Sequence, residues 1–161
     1  MSFVRDIAMS YRAPRTVVRR LLDMGEREDR AFAILMGACV VIFVSRWPAL
    51  AREAHLTQTE LNPLLGGSLF ALLFILPLCA YLLAFVSHLF LKLLRRKQTA
   101  FGARLALFWA FAATGPIYLL VGLVEGFVGD GAALGLVGVV WLVAFLWIWV
   151  SGLIEAGRAA A

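Results

Sequence analysis

From residue 66 to residue 94 the chain is apolar almost throughout, and this run limits the available folds more than any other feature. A helix rises about 1.5 Å per residue and needs about 20 residues to cross the ~30 Å hydrocarbon layer of a bilayer. The run exceeds that length. Two others do as well, at 101–128 and 132–154. A further run at 31–50 has only 15 residues between Arg30 and Arg46. Arg46 can snorkel to the headgroups, however, and Trp47 suits the interface. With 63% hydrophobic residues and a mean hydropathy of +0.90, the chain carries more apolar surface than a soluble core of this size can hide. The expected fold class is all-α: a polytopic transmembrane bundle of four spans, preceded by an amphipathic interfacial helix. One membrane domain at 31–156 follows a cytoplasmic segment at 1–30 and leads into a short tail at 157–161.

Orientation follows from the basic residues alone. Seven arginines precede residue 31, whereas the first loop carries only Arg46 and Arg52. The second loop carries Lys92, Arg95, Arg96 and Lys97, with Arg104 just beyond. The third has none and the tail has Arg158. This alternation places both termini in the cytoplasm, as in a bacterial inner-membrane protein, with residues 50–64 and 126–131 on the far side. Ala49-Leu50-Ala51 resembles a signal-peptidase site. About thirty residues precede that apolar run, five acids among them, so an uncleaved span is expected. Gly129-Asp130-Gly131 predicts a tight turn between spans three and four, and Asn62-Pro63 marks the end of the first outer loop.

The opening segment has its own pattern. Val17, Val18, Leu21 and Leu22 form one helical stripe, while Arg15, Arg19 and Arg20 fall on its flanks and opposite face. Pro14 suits a first helical turn. Phe3, Ile7 and Tyr11 recur every four residues and predict a short helix before the proline. Such a segment either lies in the interface, with arginines on anionic headgroups, or packs its stripe on the ends of the spans. The candidate lipid or partner contacts are Arg12, Arg15, Arg19, Arg20, Lys92, Arg95, Arg96 and Lys97.

Little else suggests chemistry. Ionisable groups within spans are costly and usually functional, and the span centres here are nearly empty of them. His88, beside Ser87, could ligate or relay a proton, but it lacks a partner motif; His55 lies in a loop. Glu125 sits near the outer end of span three, and Arg104 snorkels at the inner edge. Cys39 and Cys79 offer no zinc site and read as small hydrophobes. Thr114-Gly115-Pro116 predicts a kink softened by a hydroxyl. No nucleophile elbow, zinc-protease or phosphate-loop motif occurs, so no catalytic residue, cofactor or metal is assigned. The net charge of +5 arises from inner-side topology, and nucleic acid is not an expected partner. Gly122 and Gly126 form a small-x-x-x-small pair, and Gly135 lies early in span four; all three are candidate helix-packing positions.

Tyr11 to Leu22, YRAPRTVVRRLL, resembles the proline-plus-basic lead of bacterial members of the Ypt-interacting-protein (Yip) membrane family. Lys97 to Leu120, KQTAFGARLALFWAFAATGPIYLL, resembles that family's mid-domain pattern of a polar turn, an aromatic-rich span and a later proline, here Pro116. The resemblance implies an all-helical, non-enzymatic integral membrane protein. That family is usually drawn with five spans and this chain shows four. Its eukaryotic members bind small GTPases and carry an Asp-Leu-Tyr-Gly-Pro element that is absent here, so GTPase binding does not transfer. The expected function is interaction with anionic lipid or other membrane proteins. An accessory subunit of a larger energy-converting or transport complex is one alternative, and a small transporter or lipid-processing enzyme is another.

Overall fold

A computed structural model describes residues 3–95 and 97–160. In chain order the helices are α1 (Phe3–Ser10), α2 (Pro14–Asp23), α3 (Glu28–Thr57), α4 (Leu61–Phe70), a π-helical turn (Ala71–Ile75), α5 (Leu76–Leu93), α6 (Ala100–Ala113), α7 (Gly115–Phe127) and α8 (Ala132–Ala159). Helices α3 and α8, and the continuous α4–α5 rod, are long and apolar enough to cross a membrane. The bent pair α6–α7 would make a fourth crossing. Much of the apolar surface faces outward: Leu78 is 71% exposed, Phe85 62% and Leu136 69%. In water that surface would be a large penalty, and in hydrocarbon it costs nothing.

Several boundaries differ from the hydropathy pattern. Helix α3 continues to Thr57 with Pro48 inside it, so the first outer connection shrinks from 50–64 to 58–60. Asn62 and Pro63 lie in the opening turn of α4 rather than ending the loop. A proline in a first turn forfeits no hydrogen bond, which is why the signal misplaced the boundary. The helix predicted to stop near 154 runs to Ala159, through residues assigned to the tail. The bend falls where the sequence placed it. Helices α6 and α7 meet at 46° across Thr114, whose hydroxyl donates to Ala110 O at 2.8 Å. The π turn precedes Pro77, which has no N–H to give, and Leu76 N–H reaches back five residues to Ala71 O.

Helix α6 occupies the centre, packed by α3, α5 and α8 and covered at one end by α1 and α2. Its residues from Leu105 to Ala110 are all buried. Small side chains allow this. A Cβ on Gly102 would stand 2.9 Å from Ala156 Cβ, and one on Gly152 would stand 3.0 Å from Ala106 Cβ. Each helix thus offers a small residue four positions from another, and the pairs interlock. Helices α3 and α7 approach more closely still, with Gly122 against the Ser45 carbonyl and Gly126 against Pro48. Gly135 has open space around it and does not pack on another helix of this chain.

The stripe of α2 packs on the bundle. Val17, Val18 and Leu21 are buried, with Val18 against the α6–α8 contact at Gly152. Helix α1 is pinned beside it. Trp109 Nε1 donates to Ser10 Oγ at 2.9 Å, the Tyr11 phenol donates to Ala113 O at 2.6 Å, and Phe3 meets Trp109 edge-on. Partial burial holds the Tyr11 phenol above its ordinary pKa, so it remains a donor. Val18→Ala is expected to cost about 1–2 kcal/mol. Val18→Asp should undock α2 altogether. Limited trypsin cleavage at Arg15 and Arg19 reads both effects, and an unchanged cleavage rate in Val18→Asp would show that the stripe does not hold the helix.

Candidate functional site

The most charged region is the end of the bundle where α3 and α6 begin and α5 and α8 finish. Helix α2 brings Arg15 and Arg19 there, and the turn before it brings Arg12, all exposed, because the stripe on the opposite side of α2 is taken up by the core. Arg20 is not free. It pairs with Asp6 of α1 at 2.9 Å, which removes it from the set of expected outward contacts. On the other side of α8, the last turn of α5 supplies Lys92 and the connector after it Arg95 and Lys97, likewise exposed. Arg95, just past the C-cap Leu94, adopts a left-handed φ of 56°, and its N–H bonds Lys92 O at 3.0 Å, closing the end of α5. Arg96, a further candidate, lies outside the described residues.

Glu155 links the two sides, and sequence reading missed it. It sits one position beyond the expected end of span four, where a charge resembles an ordinary flanking residue. In the fold it is 5% exposed, with Arg19 Nη1 at 3.6 Å and Arg158 Nη1 at 3.9 Å. A buried carboxylate needs compensating charge, and these two guanidiniums supply it while keeping 70% and 65% of their own exposure. Lys97 O lies beside Gly157, so the connector wraps the same end of α8. The result is a basic rim (Arg19, Arg158, Arg95 and Lys97) around one buried acid. Arg104 pairs with Glu28 at the neighbouring α3–α6 edge instead of reaching outward alone. Such a rim can hold anionic groups. The hydroxyls of Ser10, Ser45, Ser87 and Thr114 each donate to a carbonyl of their own helix.

At the other end stands a polar pair that sequence reading placed as two separate interfacial residues. Arg46 Nη1 lies 2.7 and 2.6 Å from the two oxygens of Glu125, joining α3 to α7. The close approach at Gly122 and Gly126 carries the two helices within reach. Arg52 turns to the last carbonyls of α7, at 3.3 Å from Gly126 O, where a cation complements the helix terminus. His88 Nδ1 is buried without a partner. Cys39 is buried, Cys79 exposed, and neither is bonded to the other. Among the described residues no three His, Cys, Asp or Glu side chains gather as a metal site would require.

These features define a class: a helical protein with membrane-length apolar helices and one basic end. Compared with protein-family models, curated proteins and solved structures, the chain matches none.

Proposed function

We propose that this is a four-span integral membrane protein of the Yip-like type with both termini cytoplasmic. It works without catalysis, by holding anionic lipid and neighbouring membrane proteins at its basic end. The observation that carries this reading is the division of the opening segment: the apolar stripe of α2 is buried on α6 and α8 while Arg15 of that helix and Arg12 just before it stay exposed. The anchoring of α1 beside α2, through Trp109 and Ala113 of α6, holds this segment against the bundle. An exposed guanidinium is worth about 1 kcal/mol on an anionic surface.

The test is amide hydrogen exchange along 14–23 in nanodiscs of phosphatidylglycerol and of phosphatidylcholine. Two arginines at about 1 kcal/mol each should slow exchange by roughly thirtyfold in the acidic discs. Arg12→Gln/Arg15→Gln should erase that difference. Equal exchange in both discs for the unaltered protein would end this reading.

A further inference from the structure

Helices α5 and α8 both pack on α6 but scarcely on each other. The gap between them is a cleft of about 860 Å³, within the range of sites that hold a whole small molecule. Its walls are apolar: Phe90 and Leu91 from α5, Leu153 and Ile154 from α8. Its mouth is the connector and the end of α8, with Arg95, Lys97 and Arg158.

Charge and length point to what fills it. The mouth is unbalanced in charge. Among the described residues no carboxylate pairs with Arg95 or Lys97, and Arg158 has only Glu155 at 3.9 Å. From Val86 to Leu94 the α5 wall runs eight residues, about 12 Å, most of the ~15 Å hydrocarbon depth of one leaflet.

We propose that the α5–α8 cleft binds one acidic phospholipid. An acyl chain lies between Phe90 and Leu153, and the phosphate sits among Arg95, Lys97 and Arg158. The charge at the mouth selects an acidic headgroup, because Arg and Lys on a phosphate form charge-assisted hydrogen bonds. The inference rests on the membrane placement proposed above. It has its own readout, since a lipid held in a cleft stays bound in detergent, where no membrane surface remains.

The experiment is native mass spectrometry of the whole protein in mild detergent, offered phosphatidylglycerol and phosphatidylcholine with matched chains. The protein is expected to retain one phosphatidylglycerol with at least tenfold preference. Arg95→Gln/Lys97→Gln should lose the preference while still taking up lipid. Val150→Trp, which fills the cleft without altering charge, should lose retention of both lipids. Arg12 and Arg15 are intact in these variants, so the exchange difference along α2 should survive in each. Equal retention of the two lipids would overturn the proposal. So would unchanged retention in Val150→Trp, displacement by millimolar inorganic phosphate, or a copurifying polypeptide in place of lipid.

Discussion

Gly122→Ala is expected to lower the thermal midpoint by roughly 5–10 °C. A Cβ at this position would stand 1.8 Å from Ser45 O and 2.6 Å from Ser45 C. These are backbone atoms of α3, so no rotamer change relieves the clash and one helix must move away from the other. Overpacking of this kind costs about 1–3 kcal/mol and occasionally more, and a chain of this size loses about 2–4 °C per kcal/mol. Gly122→Leu should leave little folded protein. The control is Gly135→Ala, which meets no atom within 4 Å and should match the unaltered protein or slightly exceed it, since alanine is the better helix former. Circular dichroism in one detergent checks all three. A Gly122→Ala midpoint within a degree or two of the parent would mean that α3 and α7 do not meet as described.

The second large effect concerns Arg46 and Glu125. Breaking a fully buried ion pair by removing one partner costs about 3–5 kcal/mol. These side chains retain 35% and 26% of their exposure, so about 1–3 kcal/mol is expected for Arg46→Gln or Glu125→Gln once screening is counted. The double variant should cost less than the sum of the two singles by about 1–2 kcal/mol, because each single change strands a charge that the double change does not. A double-mutant cycle by denaturant titration measures this. Strict additivity would return both residues to separate places at the headgroups, as sequence reading had them.

That pair shows where legibility ended. Arg46 and Glu125 are 79 positions apart, and nothing in either local pattern refers to the other. Each alone looked like a charge near the end of an apolar run, which it also is. Glu155 was hidden in the same way: only the approach of α2 and the last turn of α8 makes it a buried acid between two arginines. The packing glycines divided similarly. Gly122 and Gly126 were marked by their spacing and Gly135 by its place early in span four, and only the course of α3 separated the first two from the third. The interlocking Gly102–Ala106 and Gly152–Ala156 pairs went unnoticed, because alanine and glycine in an apolar helix carry no signal until a partner is known. The α5–α8 cleft was not legible at all, since it is defined by two helices that fail to meet.

The sequence by itself determined the helices, the bend at Thr114 and the two-sided character of α2. The physical reason is that hydrocarbon imposes its demands residue by residue. Each backbone N–H must be satisfied within its own segment, each apolar run must be long enough, and each proline or glycine acts where it stands. Helix partners were decided only by the tertiary structure. In a soluble protein the buried face of a helix is marked by hydrophobic periodicity. In a chain whose lipid-facing and protein-facing sides are equally apolar that mark is erased, and packing is chosen by close fit and by polar pairing between distant residues. The central position of α6, the Arg46–Glu125 link, the burial of Glu155 and the open cleft between α5 and α8 all follow from that choice.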